Sequence, residues 1–148
     1  METMQWDDAF SVRIKEIDQL QQKYIEILNR LIELRNEKAE QKLIADAFAD
    51  LVEFVRHYCG QEEKMLSRLN YPELEMHRKE HKDLVKAAMK YRRWFADDPA
   101  NLTDEVVTYF REWAAIHFRE TDFRYGPFIR LQRFLQSYQK HNRRIRPV

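Results

Sequence analysis

Two histidines one helical turn apart are the clearest chemical feature of the sequence. His77 and His81 are the first and last residues of the run HRKEH. Four residues turn an ideal α-helix by about 400°, so both imidazoles leave the same face of a helix. Two imidazoles placed in this way can bind one metal ion. The spacing therefore predicts a metal site on a helix.

Three further residues could complete the set of ligands. An HxxxH pair also arises in helices that bind no metal, so the prediction depends on what else faces the same core. His117 and Glu62 continue the inward stripes of two other predicted helices, and Asp122 follows His117 by five residues. Three imidazoles with carboxylates from neighbouring helices match a non-haem iron site in a bundle core. Zinc and manganese accept the same ligand types.

The composition is typical of an all-α protein. The 148 residues suffice for a single domain with one hydrophobic core, and two glycines and four prolines leave little material for β-turns. The 26 basic and 25 acidic residues nearly cancel, so no overall charge recruits nucleic acid or an anionic membrane. A single cysteine, no long apolar run and an N-terminus without signal-peptide features predict a protein of the reducing cytoplasm.

An N-terminal arm and a first helix precede the predicted ligands. Residues 1–17 show no sustained helical period, and we expect them to pack as an arm across the bundle surface. Asp18 is the candidate N-cap of the first helix. The buried stripe of this helix passes through positions 17, 21, 24, 28 and 31, which places Gln21 in the core.

The second predicted helix begins near Ala39 and turns Tyr58 and Glu62 toward the core. His57 lies one residue before Tyr58, about 100° away and nearer the edge of the helix. Gly60 is unusual inside a helix and costs roughly 1 kcal/mol relative to alanine. It predicts a bulge or the close approach of another element.

The last two bundle helices follow clear boundary signals. Pro72 suits the first turn of the third helix, and Thr103 with the acids behind it starts the fourth. Four helices with short connections predict an up-down-up-down bundle over residues 18–123. Residues 124–148 predict a short C-terminal helix and, from residue 141, a basic solvated end. The whole chain is interpreted as a single domain, 1–148.

Specific motifs carry a resemblance to a known family. They are Trp6 with IKEID (14–18), Asn29 eight residues after Gln21, QEEKML (61–66), YPELEMHRKEH (71–81) and WAAIHFRETD (113–122). Over residues 6–123 the chain resembles the hemerythrin family, and bacterial hemerythrins in particular. The resemblance implies a four-helix bundle with a carboxylate-bridged di-iron centre that binds dioxygen reversibly or senses it.

The resemblance also implies a role for each ligand. His77, His81 and His117 match the ligands of the iron that takes three histidines. Glu62 and Asp122 match the two bridging carboxylates. All five residues of this part of the family pattern are present.

The two histidines of the other iron are replaced, by Gln21 and Tyr58. In one alternative Tyr58 ligates a second iron as phenolate and Gln21 adds a neutral oxygen, because ferric iron lowers a phenol's pKa. In another, His57 turns inward through a local distortion at Gly60. In the third, the second metal is absent and Tyr58 and Gln21 hydrogen-bond in the core, leaving a mononuclear site or no site.

Three function classes follow from this pattern. The first is a non-enzymatic iron protein that handles dioxygen, nitric oxide or peroxide in transport, storage or sensing. The second is an enzyme that reduces peroxide or oxidises a small substrate, with Glu62 or Asp122 as proton relay. The third is a degenerate bundle with a structural or partner-binding role.

Overall fold

The helices of the chain form an up-down-up-down bundle in the computed structural model, which describes residues 1–145. The bundle helices are α1 (Lys15–Asn36), α2 (Gln41–Arg68), α3 (Leu74–Asp97) and α4 (Asp104–Ile116). A π-helical segment, His117–Asp122, joins α4 without a break to α5 (Phe123–Ile145). The described residues contain no strand, so the predicted all-α bundle is confirmed. The C-terminal helix is present and, at 23 residues, longer than expected.

The connections between helices are short; Pro72 lies in the turn two residues before α3, not in the first turn of the helix as expected. Asn70 follows α2 with a φ of 54°, a left-handed conformation that asparagine tolerates, and Pro72 precedes α3. The Thr103 hydroxyl accepts a hydrogen bond from the Val106 backbone N–H at 3.4 Å, so the predicted cap of α4 is confirmed.

The start of α1 differs from the prediction. The helix begins at Lys15, and Asp18 lies inside its first turn. The Asp18 carboxylate accepts hydrogen bonds from Ser11 Oγ at 2.5 Å and from the Val12 backbone N–H at 2.9 Å. Asp18 therefore holds the N-terminal arm, and the prediction that it caps the helix is wrong.

The N-terminal arm packs against the bundle as expected. Its apolar side chains Met4, Phe10 and Val12 are buried. The Asn29 side chain on α1 donates to the Met4 backbone carbonyl and accepts from the Met4 N–H, both at 2.7 Å. These paired bonds fix the path of the arm over α1.

The two glycines of the chain play different parts. Gly60 faces solvent in a regular stretch of α2, with open space where a Cβ would stand, so the predicted bulge or close approach is wrong. Gly126 on α5 lies beneath the arm, where a Cβ would come within 2.9 Å of the Val12 carbonyl oxygen. Arg130 Nη1 donates to the same oxygen at 2.6 Å. The arm therefore binds α5 to the bundle at this point.

Along the described part of the chain, no helix combines the length and apolar character needed to cross a membrane.

Candidate metal centre

A group of fully buried polar side chains lies at the centre of the bundle. Its members come from α1, α2, α3, the π-helical segment and α5. Its members are Gln21 from α1, Tyr58 and Glu62 from α2, His77 and His81 from α3, His117 and Asp122 from the π-helical segment, and Tyr125 from α5. Buried polar groups require partners, so this cluster must either bond within itself or bind an ion.

Three imidazole nitrogens converge on one carboxylate oxygen. Glu62 Oε2 lies 2.7 Å from His77 Nε2, 3.0 Å from His81 Nε2 and 3.5 Å from His117 Nε2. The Nε2 atoms of His81 and His117 are themselves 3.2 Å apart. One ligand atom from each of these four residues lies within 4.8 Å of the others. Donor atoms this close could share one metal ion.

The π-helical segment brings Asp122 to the same point as His117. In an α-helix, five residues turn the chain by about 500°, which would leave the two side chains about 140° apart. The wider π-helical turn, with its i→i+5 hydrogen bonds, reduces that separation. As a result, Asp122 Oδ1 lies 2.8 Å from His117 Nε2 and 3.7 Å from His77 Nε2.

Carboxylates on the outside of the cluster fix two of the imidazoles. Glu63 Oε2 is 3.2 Å from His81 Nδ1, and Glu80 Oε2 is 3.2 Å from His117 Nδ1. Thr121 Oγ1 donates to the same Glu80 oxygen at 2.7 Å, and the hydrogen bond with His117 is the main reason that the pKa of Glu80 falls to about 2. When Nδ1 of His81 and of His117 donates outward in this way, Nε2 points into the cluster and can bind a metal ion or a second proton.

This orientation makes the cluster suited to a cation. Nε2 atoms that face carboxylate oxygens at about 3 Å are stable there only if a proton or a metal ion lies between them. Burial alone would lower the pKa of His117, but Asp122, Glu62 and Glu80 raise it well above its usual value, so a positive charge at this point is favoured. Asp122 Oδ1 is buried and has no hydrogen-bond donor among residues 1–145. Three imidazole nitrogens and two carboxylate oxygens suit non-haem iron, so the residues present fit the metal that the resemblance implies.

The second oxygen of each carboxylate faces a different set of groups. Tyr58 Oη donates to Glu62 Oε1 at 2.6 Å and also makes a very short contact with Asp122 Oδ2. Tyr125 Oη donates to Glu62 Oε1 at 2.8 Å, and Gln21 Nε2 donates to Asp122 Oδ2 at 3.1 Å. Tyr58 and Gln21, which stand where the family pattern has histidines, therefore lie together here, with Tyr125 as a second phenol beside them. Gln21 Oε1 has no hydrogen-bond partner within residues 1–145.

The electrostatics of the two carboxylates differ. Burial alone would raise the pKa of Glu62, but hydrogen bonds from His117, His77 and His81 hold it well below its usual range. Burial and the neighbouring Glu62 raise the pKa of Asp122. Burial, reinforced by both carboxylates, also raises the pKa of Tyr58 well above its usual value. Tyr58 thus keeps its proton and acts as a neutral hydrogen-bond donor.

Seven of the eight residues singled out from the sequence meet in this cluster. His77, His81, His117, Glu62, Asp122, Tyr58 and Gln21 are all buried there. His57 is not brought to it. This residue is exposed on α2, where its ring lies 5.7 Å from that of Phe54. Regular helical geometry at Gly60 leaves His57 pointing away from the core.

The sequence reasoning missed Tyr125, Glu63 and Glu80. Tyr125 was overlooked because the fourth helix was expected to close at Asp122, whereas the helix continues and returns Tyr125 to the core one turn later. Glu63 and Glu80 each reach an imidazole on another element. The only sequence signal for them is a carboxylate directly beside a predicted ligand, since Glu63 follows Glu62 and Glu80 precedes His81.

Comparisons with known proteins identify the family of the chain. The family model described as "Hemerythrin HHE cation binding domain" matches residues 12–129. The chain is 29% identical to a myohemerythrin of Riftia pachyptila, covering 81% of this chain and 88% of that protein. It is 24% identical to a bacteriohemerythrin of Stenotrophomonas maltophilia, covering 94% of this chain and 91% of that one.

Solved structures show the same fold. A crystal structure of wild-type hemerythrin superposes with a TM-score of 0.79 at 21% identity, covering 85% of this chain and 97% of that chain. A crystal structure of a hemerythrin point mutant gives a TM-score of 0.81 at 22% identity, covering 87% of this chain and 98% of that one. Identities this low establish the shared bundle and leave the chemistry to the residues of each chain.

Proposed function

Because the chain belongs to the hemerythrin HHE cation-binding domain family, whose members bind non-haem iron, we propose that it binds one iron ion and, at that iron, dioxygen or a related small ligand such as nitric oxide. The ligands are His77, His81, His117, Glu62 and Asp122. Tyr58 and Gln21 take no part in binding a second iron. The protein then acts in the transport, storage or sensing of the small ligand.

One observation supports this proposal: the two oxygens of each carboxylate lie in different environments. Glu62 Oε2 and Asp122 Oδ1 face the imidazole Nε2 atoms. Glu62 Oε1 and Asp122 Oδ2 accept hydrogen bonds from the phenol and amide groups. Only one side of each carboxylate is thus available to a metal.

These five side chains would hold the iron, and bound iron would supply an open coordination position and electrons for a small ligand. Three nitrogen and two oxygen donors hold the metal rigidly, since Glu63 and Glu80 fix two of the imidazoles from outside. The buried setting keeps bulk water from the imidazoles, which are each at most 3% exposed.

Hydrogen bonding by Tyr58 and Tyr125 supports a single iron. Two phenol protons point at Glu62 Oε1, which satisfies the lone pairs that would bridge to a second ion. A metal in that place would have to displace both protons.

Iron content and the visible spectrum test this proposal. We expect one iron per chain after loading with ferrous iron under anaerobic conditions, and binding of nitric oxide with the EPR signal of an isolated ferrous nitrosyl. Aerobic protein should lack the purple band of an iron–tyrosinate. Two irons per chain, a purple band that disappears in Tyr58→Phe, or protein that takes up no iron would each contradict the single-iron site.

A double variant makes the test sharper. Gln21→His with Tyr58→His restores both histidines of the family pattern, and we expect it to bind a second iron and to show an oxo-bridged di-iron spectrum. The matched control is His57→Ala, which changes an exposed residue of the same helix and should leave the iron content at one.

A further inference from the structure

The C-terminal half of α5 extends beyond the bundle. From Phe134 to Ile145 every residue except the half-buried Asn142 is exposed. The matched family region ends at residue 129, so this part of the helix lies outside it. A helical end of about 12 residues is marginal in water by itself, so covering its apolar side chains would stabilise it.

α5 has two apolar faces, and the bundle uses only one. Tyr125, Gly126 and Ile129 are buried against the bundle and the arm. Leu131 follows Ile129 by about 200° of helical rotation, so it lies on the opposite face. That face continues with exposed apolar side chains, which we call the outer stripe: Leu131, Phe134, Leu135, Tyr138 and Ile145.

Four residues of the outer stripe, together with Asn142, have the spacing of a helix-pairing seam. Leu131, Leu135, Tyr138, Asn142 and Ile145 alternate steps of four and three residues, which is the heptad pattern of positions d, a, d, a and d. The polar Asn142 falls at an a position. A single asparagine at such a position fixes the register of parallel pairs, since each asparagine hydrogen-bonds to its counterpart.

The distribution of charge around the outer stripe indicates which molecule covers it. Residues 123–148 contain no acidic residue. The cations from residue 130 to 145 all fall at outward heptad positions (b, c and f), namely Arg130, Arg133, Lys140, Arg143 and Arg144. Within residues 131–145, the e and g positions beside the seam are uncharged (Gln132, Gln139, Phe134) or carry a histidine (His141). An identical helix can therefore approach without opposing like charges at the seam, where such charges would disfavour pairing.

We propose that a second copy of this chain covers the outer stripe, by parallel pairing of the two α5 helices. The bundles lie on the far side of each helix from the seam, because Tyr125 and Ile129 attach α5 through its other face. A membrane-bound helix differs in needing cations to reach an anionic surface. Here the cations point away from the apolar stripe.

The mass of the protein in solution tests the pairing. We expect sedimentation equilibrium to show a monomer–dimer equilibrium in the micromolar range and Leu135→Glu to abolish the dimer. The control Gln136→Glu adds the same charge one residue away at an outward position and should leave the dimer intact. Far-UV circular dichroism and iron content should be unchanged in both, since neither residue contacts the buried cluster. A wild type that stays monomeric into the millimolar range, or a Leu135→Glu variant that still dimerises, would overturn the proposal.

Cross-linking tests the parallel arrangement. Cys59, the only cysteine, is buried, so a cysteine introduced on the seam is the one available for oxidation. Leu131→Cys should form a disulfide-linked dimer, whereas Ser137→Cys at an outward position should not. A dimer that Leu131→Cys fails to cross-link would refute parallel pairing. Monomeric protein that co-sediments with phosphatidylserine vesicles would identify a membrane surface as the occupant and refute the second copy.

Discussion

Glu62 and Asp122 each turn one oxygen toward three imidazoles and the other oxygen toward two phenols and an amide. We call the side of the cluster with the three histidines the imidazole half, and the side with Tyr58, Tyr125 and Gln21 the phenol half. Both halves share the same two carboxylates and are buried in the same bundle. In the imidazole half, nitrogen atoms face carboxylate oxygens and need a proton or a metal ion between them; among the described residues, Asp122 Oδ1 has only His117 Nε2 beside it, at 2.8 Å. In the phenol half, phenol and amide groups donate hydrogen bonds to the carboxylate oxygens.

Side-chain chemistry thus divides one buried cluster into two kinds of site. A carboxylate opposite imidazoles held by outer carboxylates is completed by a cation. The same carboxylate opposite neutral donors is completed by hydrogen bonds, without any ion. The bundle therefore provides a location, and each donor or acceptor placed there decides whether a metal is needed.

Removing an imidazole should cause the largest change, a loss of iron affinity. We expect His77→Ala to lower iron affinity by at least ~100-fold, because it removes a ligand from a five-donor set while outer partners alone are commonly worth about 10–100-fold. Competition with a chelator measures the change. His57→Ala, which changes an exposed histidine on α2, should bind iron like the wild type. Equal iron affinity in both variants would remove His77 from the site.

Loss of an outer carboxylate should have a smaller effect on the same half. Glu80→Ala removes the acceptor of the His117 Nδ1 proton, and we expect about a 10-fold loss of iron affinity. Asp83→Ala removes an exposed acid from the same stretch of α3 and serves as the matched control. If the two variants bind iron equally well, Glu80 does not orient His117.

The phenol half should respond in stability and not in metal content. Tyr58→Phe leaves Glu62 Oε1 with one donor fewer and Asp122 Oδ2 without its phenol contact, and we expect a loss of about 1–3 kcal/mol in the free energy of unfolding. Tyr125→Phe should cost less, about 1 kcal/mol, because Tyr58 still serves Glu62. Urea denaturation with parallel iron analysis measures both. A Tyr58→Phe variant that loses its iron would show that the halves are not separate.

Local sequence patterns predicted the fold and the inward residues well. Apolar residues at helical spacing placed Gln21, Tyr58 and Glu62 on buried stripes, and the structure buries all three. The predicted helix start at Asp18 was wrong because a carboxylate near the start of a helix can accept hydrogen bonds from the arm as well as from the helix. Local signals do not distinguish these two uses.

The identity of the core-facing residues, and of the chemical groups they bring, followed from the sequence alone, because helical periodicity and residue type are local properties. The five predicted iron ligands and the two replacements were already visible there.

Which carboxylate oxygen faces which group depended on the tertiary structure. The π-helical segment aligned His117 with Asp122 and kept the helix running, so that Tyr125 reaches Glu62 across 63 residues of sequence. Such contacts depend on how helices pack against one another, and no local pattern encodes them. The same packing used one face of α5 for the bundle and left the outer stripe exposed.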